Sequence, residues 1–141
     1  RYESSAPPAV LAKLGRTLLR RKEIAELQII KSMLLDGEMA QLGLGCLERR
    51  DFRMHGDIFE AFLAFARSGG NFKNFIAREN LRALALDDEI LPIGGAALFN
   101  DACKILRRNA LQDLMQKLKN SDAPDKIERI LEYQKKINQL K

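Results

Sequence analysis

The 141-residue sequence reads as an all-α protein. Apolar residues recur at three- and four-residue spacing along most of the chain, the period of a helix with one buried face. No stretch alternates apolar with polar residues, and no hairpin-turn pair joins two apolar runs. Polar, Gly- or Pro-containing breaks punctuate the periodic runs at Asp36-Gly37, Ser68-Gly69-Gly70, Pro92-Ile93-Gly94-Gly95 and Asn120-Ser121-Asp122.

Tyr2–Pro8, with Ser4, Ser5, Pro7 and Pro8, reads as a linker, so residues 1–8 are set apart. Periodicity starts near Ala9, where Val10, Leu11, Leu14, Leu18 and Leu19 fall at helical spacing. Arg20-Arg21-Lys22 reads as the end of that helix, since cations suit a C-terminus. A second helix is expected over Glu23–Leu35, its stripe of Ile24, Leu27, Ile30 and Leu34 widened by Ile29 and Met33. Asp36-Gly37 stops it. A short helix over about Glu38–Arg49 carries Met39, Leu42, Leu44 and Leu47, weakened by Gly43 and Gly45.

Asp57–Arg67, with Ile58, Phe59, Phe62, Leu63, Phe65 and Ala66, has the composition of a core helix. Phe72, Phe75 and Ile76 suggest a short helix laid over that core, and Leu81, Leu84 and Leu86 another. A long helix follows from Ala96 to Lys119. Its apolar stripe is Leu98, Ala102, Ile105 and Leu106 in the first half, then Leu111, Leu114, Met115 and Leu118 in the second. At about 100° per residue the second stripe lies about 160° around the helix from the first, with the change at Arg107-Arg108-Asn109. Two such faces imply packing on two bodies. Asp122-Ala123-Pro124 reads as the start of a last helix, Asp122 capping and Pro124 in the first turn. The short connection makes that helix antiparallel to the long one. The expected architecture is an N-terminal helical bundle (9–108) joined through the long helix to a C-terminal antiparallel hairpin (109–141).

Charge is distributed unevenly. Residues 1–103 hold 14 Lys/Arg and 14 Asp/Glu, whereas residues 104–141 hold ten against five, so the whole +5 lies in the last two helices. A basic segment of this kind favours an acidic protein surface or nucleic acid. Ile127, Ile130, Leu131, Tyr133, Ile137 and Leu140 span about half the circumference of the last helix, more than one neighbouring helix covers. Uncovered apolar surface beside basic residues suggests an interaction site; the alternative is that the hairpin folds back onto the bundle and buries it.

Catalytic chemistry finds little support. No glycine-rich loop precedes a Lys-Ser/Thr pair, so no phosphate cradle of that type exists. The one histidine, His55, precedes a helix and reads as a cap or a packed ring. Cys46 and Cys103 are isolated in sequence, with no CxxC, and read as buried reduced thiols; with His55 they fall short of the four ligands of a zinc site. Cys103 has no identifiable base to activate it, and Asp87-Asp88-Glu89 reads as a solvated loop. No apolar run reaches the roughly 18 residues needed to cross a bilayer. The first residue is Arg, which suggests a piece of a longer protein.

The run Glu23-Ile24-Ala25-Glu26-Leu27 through Met33-Leu34-Leu35-Asp36 resembles the opening of two related bacterial modules: the C-terminal domain of DnaG-type primase and the N-terminal domain of DnaB-type replicative helicase. Phe52-Arg53-Met54-His55-Gly56-Asp57-Ile58-Phe59 resembles a turn into a helix found in both. Asn109–Lys119, the polar turn Asn120–Asp125 and the helix Lys126–Lys141 resemble the closing segment of the primases; a helicase would continue toward a nucleotide-binding motor. Gly43–Cys46 and Asp87–Gly95 match no pattern of either.

The primase resemblance implies a non-catalytic domain whose hairpin binds the N-terminal domains of the hexameric replicative helicase and brings priming to the fork in the bacterial cytoplasm. It implies Ile127, Ile130, Leu131, Tyr133, Gln134, Ile137 and Leu140 as helicase-binding residues, and no cofactor here, zinc and magnesium belonging with RNA synthesis in upstream domains. It further suggests Arg20, Arg21, Lys22 and Lys31 as a site for the acidic tail of single-stranded-DNA-binding protein. The alternative is a structural, oligomerising domain of the helicase. A nucleic-acid-binding role is weaker, because Tyr133 is the one aromatic in the basic tail.

Overall fold

The computed structural model describes residues 8–69, 75 and 81–140, with side chains from Arg20 onward. Its elements are α1 (Pro8–Leu35), α2 (Gly37–Cys46), a 3₁₀ turn (Arg49–Asp51), α3 (Gly56–Arg67), α4 (Arg82–Leu86), α5 (Ala96–Lys119) and α6 (Lys126–Gln139). No strand occurs among the described residues, so the all-α reading holds. Residues 1–7 of the expected linker, the side chains of Val10–Leu19, and Phe72 and Ile76 lie outside the description; Phe75 is buried.

The two helices expected before Asp36 are one helix of 28 residues. The Arg20-Arg21-Lys22 run does not end it. No Gly or Pro stands there to break the backbone, and Arg20 pairs with Glu23 one turn on. The real stop is Asp36, a one-residue junction. Its N–H donates to the Ser32 carbonyl at 3.0 Å, while its Oδ1 accepts from the N–H groups of Glu38 and Met39 at 2.9 and 3.3 Å. The same residue thus closes α1 and caps α2, which folds both helices onto each other. At their contact a Cβ on Gly43 would sit 2.6 Å from the Met33 sulfur, so the bare glycine lets the helices approach. The third helix stops at Cys46, short of the expected Arg49, and the 3₁₀ turn follows. Asp51 Oδ2 accepts from the Glu48 N–H at 2.8 Å to close that turn.

The main core gathers Ile29, Ile30 and Met33 of α1, Met39 and Ala40 of α2, Phe52, Phe59 and Phe62, Phe75, and Phe99 and Cys103 of α5. Phe52 stacks on Phe59 with ring centres 4.8 Å apart, and Phe75 meets Phe62 and Phe65 at 5.2 and 5.0 Å. Ser32 ties the loop before α5 to this core. Its hydroxyl donates to the Gln28 carbonyl at 2.7 Å and accepts from the Ile93 N–H at 2.8 Å.

One buried carboxylate organises the entry to α3. Glu26 is 1% exposed and accepts from three consecutive backbone N–H groups, Arg53 (3.0 Å), Met54 (3.1 Å) and His55 (3.0 Å). Its charge is thereby met by hydrogen bonds, as burial requires. The His55 ring hydrogen-bonds Glu23 Oε2 at 3.1 Å, and the His55 carbonyl accepts the first helical N–H groups of α3. The two sequence stretches Glu23–Asp36 and Phe52–Phe59 therefore meet through Glu26 and Glu23.

Candidate docking surface on the last helix

Two core clusters share α5. Its first half enters the main core through Phe99 and Cys103, with Ala102 and Leu106 half-buried. Its second half, Leu111 and Met115 with Leu114, joins Ile137 of α6 in a smaller cluster completed by Ile130, Tyr133 and Leu140. The apolar face does turn over, by less than expected. Leu98 and Ile105, counted in the first stripe, are 59% and 52% exposed, and Phe99, omitted from it, is fully buried. The buried faces centred on Phe99–Cys103 and on Leu111–Leu118 differ by about 120°, with buried Ala110 between them.

The turnover leaves α5 continuous from Ala96 to Lys119. Arg107 holds the position. Its Nη1 donates to the Cys46 carbonyl at 3.1 Å and its Nε stands 3.8 Å from Asp51 Oδ2. Asp51 is 2% exposed, and burial pushes its carboxyl above the ordinary value, against the Glu48 N–H and the Arg107 charge. Arg53 forms an ion pair with Asp113 at 2.6 Å, joining the turn before α3 to the second half of α5.

The connection after α5 differs from expectation. Asp122 does not cap the last helix, which begins four residues later at Lys126. Ser121 does the local bonding: its hydroxyl donates to the Leu118 carbonyl at 2.8 Å, and its carbonyl accepts from Lys126 Nζ at 3.2 Å. Pro124 lies in the turn closed by the Lys126 N–H on the Ala123 carbonyl at 3.2 Å.

The seven residues assigned to docking divide into two rows on α6. Ile137 is 6% exposed, and Ile130, Tyr133 and Leu140 are half-buried beside it against α5. Ile127 and Leu131 are 68% and 65% exposed, and Gln134 continues their row, donating to Asn138 Oδ1 at 3.1 Å. The rows lie about 100° apart around the helix. Ile137 is therefore a packing residue, because the hydrophobic gain of the seam takes it out of reach. The outward row is apolar at its N-terminal end and amide-bearing at its C-terminal end. Beside it, a groove of about 290 Å³ between the helices is lined by Gln112, Met115, Gln116, Lys119, Gln134 and Ile137.

The four cations assigned to an acidic tail also part. Arg21 and Lys22 are exposed, and Arg20 is paired with Glu23. Lys31 is buried at 5%, with Nζ donating to the Asp87 carbonyl at 2.7 Å, so it fastens α1 to the loop after α4 and presents no charge to a ligand. The roles of Glu26, Asp51, Arg107 and Phe99 went unnoticed in the sequence. A charged residue one turn before Ile30 on the apolar stripe of α1 was the available signal for Glu26. Arg107 stood at the expected change of apolar face, but its partners Cys46 and Asp51 lie more than fifty positions away, and nothing local marks Asp51. Among the described residues no group of three His, Cys, Asp or Glu is placed to hold a metal, and no helix is long and apolar enough to cross a membrane.

No curated protein and no solved structure matches the chain significantly. A family model described as the DnaG-primase C-terminal, helicase-binding domain matches residues 23–141. The match runs from the middle of α1 through both α5 and α6, and so includes the closing segment on which primase and helicase modules differ. The chain belongs to the family of DnaG-primase C-terminal, helicase-binding domains.

Proposed function

We propose that this domain docks a bacterial replicative primase onto the N-terminal domains of the hexameric replicative helicase, through the outward row Ile127, Leu131 and Gln134 of α6. The observation that carries the proposal is the exposure of two large aliphatic side chains, 68% and 65%, on one face of a helix in a helicase-binding family. Exposed aliphatics in adjacent turns suit an apolar groove on the partner. The basic surplus of residues 104–141 suits an acidic rim around it, which speeds encounter and fixes orientation. Ile130, Tyr133, Ile137 and Leu140 act indirectly, holding α6 against α5 so that the row is presented on a rigid support. The domain performs no chemistry itself; primer synthesis belongs to the rest of the primase, in the bacterial cytoplasm. Arg21 and Lys22 are the cations left to receive an acidic tail of single-stranded-DNA-binding protein.

The test is titration calorimetry of the chain against the purified N-terminal domain of the cognate helicase. Ile127→Asp with Leu131→Asp is expected to weaken binding by at least about 100-fold, the scale of two anchor residues lost from an interface. Tm should stay within about 2 °C of the parent, because neither side chain is packed. Binding that survives both substitutions would overturn the proposal.

A further inference from the structure

Cys46 and Cys103, remote in sequence, meet in the fold. Cys46 is the last residue of α2, and Cys103 faces it from α5. Cys103 is 3% exposed within the main core; Cys46 is half-buried at the edge of the same core. The two thiols lie side by side within interaction range, and no disulfide joins them. The contact is framed independently by Arg107, one turn beyond Cys103, whose guanidinium donates to the Cys46 carbonyl at 3.1 Å. Two thiols held side by side between two helices, one of them reachable from solvent, are poised for joining.

We propose that Cys46 and Cys103 form a reversible disulfide on exposure to a hydroperoxide, clamping the end of α2 to α5. The two sulfurs are unequal in the way this reaction needs. The hydrogen bond from Cys103, aided by the nearby Arg107 charge, draws the Cys46 thiol down to about 7 against burial and the Asp51 carboxylate. Cys103 is pushed up by the hydrogen bond to Cys46 and by burial, and stays a thiol. Cys46 is thus the attacking sulfur and Cys103 the resolving one. The Cys46 thiolate attacks one peroxide oxygen; the O–O bond breaks, and the departing hydroxide takes up a proton to leave as water. Cys103 sulfur then attacks the sulfenic sulfur of Cys46. The S–S bond forms as the S–O bond breaks, and the Cys103 proton leaves with the hydroxide as a second water. Two thiols are oxidised and one hydroperoxide is reduced; a dithiol reverses the step.

Hydrogen peroxide added to the full chain, followed by intact-mass and non-reduced peptide analysis, tests this. A loss of about 2 Da, in a monomer whose cross-linked peptide carries Cys46 and Cys103, is the expected result. Closing a loop of about 57 residues should raise Tm by roughly 5–10 °C, and dithiothreitol should restore the original value. In Cys103→Ser, Cys46 should instead gain about 16 Da per oxygen, with no cross-link. In Cys46→Ser, Cys103 should stay unmodified at the same dose. Without any substitution, iodoacetamide at neutral pH should alkylate Cys46 at least about ten times faster than Cys103. A chain that forms intermolecular dimers, that carries Cys46 to the sulfinic acid with Cys103 intact, or that alkylates at equal rates would overturn the proposal.

Discussion

At the scale of single residues, buried charge decides most of what is specific here. Glu26 satisfies three consecutive backbone N–H groups at the turn into α3. Removing the carboxylate in Glu26→Ala orphans all three, at a cost of about 3 kcal/mol, and calorimetry should show Tm lower by roughly 10 °C. The acid side of the stability profile is set by opposed groups. Arg20 first, then His55, hold the Glu23 carboxyl below its ordinary 4.5. A depressed acid contributes stability that is present above 4.5 and lost as pH falls through the folded value, so Glu23→Gln should flatten the loss below about pH 4.5. Glu23 is partly exposed, and that effect is small. Asp51 is raised above 3.8 by burial, so its contribution is present below 3.8 and lost as pH rises through the folded value. The Tm of Asp51→Asn relative to the parent should therefore climb as pH rises above 3.8. Little of this was legible. Glu26 stood on an apolar stripe and could have been suspected, but the N–H groups it serves lie 27–29 positions away.

At the scale of elements, helix periodicity served well where Asp36-Gly37 and Pro92–Gly95 broke the run, and less well where a helix had to be ended by charge alone or started at Asp122. The limits of α5 are as expected, because Pro92–Gly95 and the Asn120–Ser121 turn bracket it. The division of α1 failed because three cations in a row do not stop a backbone that has good helix formers on both sides. Asp122 looked like a cap, yet capping depends on φ and ψ that the Ser121 hydrogen bonds fix otherwise. Leu98 and Phe99 show the limit of stripe reading: adjacent apolar residues give two equally periodic faces, and the core chose the aromatic one. In α2 the two interior glycines should behave oppositely. A Cβ at Gly45 meets nothing within 4 Å, so Gly45→Ala should stabilise by up to about 1 kcal/mol through helix propensity. At Gly43 the same gain is offset by displacing the buried Met33 side chain, and Gly43→Ala should show no rise in Tm.

At the scale of the whole molecule, the family and the fold were visible in diffuse apolar spacing, whereas the composition of the outward row of α6 was not. A stripe of half the circumference says that a helix has more than one neighbour. It does not say which residues face which neighbour; that needs the orientation of α6 against α5. The distinction is measurable. Ile137→Ala should cost about 2–3 kcal/mol in stability, because its side chain closes the smaller core, and should weaken helicase binding only as far as α6 loosens. Ile127 and Leu131 should show the reverse pattern.

The continuity of α5 has a mechanical consequence. Twenty-four residues of unbroken helix make a shaft of about 36 Å. Its near end is set in the main core by Phe99 and Cys103 and pinned at mid-length by Arg107; its far end bears α6. A pull applied to α6 by a moving partner is not absorbed by a joint along the way. It arrives at the Phe99–Cys103 core as a bending moment, and the tether's resistance to load is set by how firmly that socket grips the shaft.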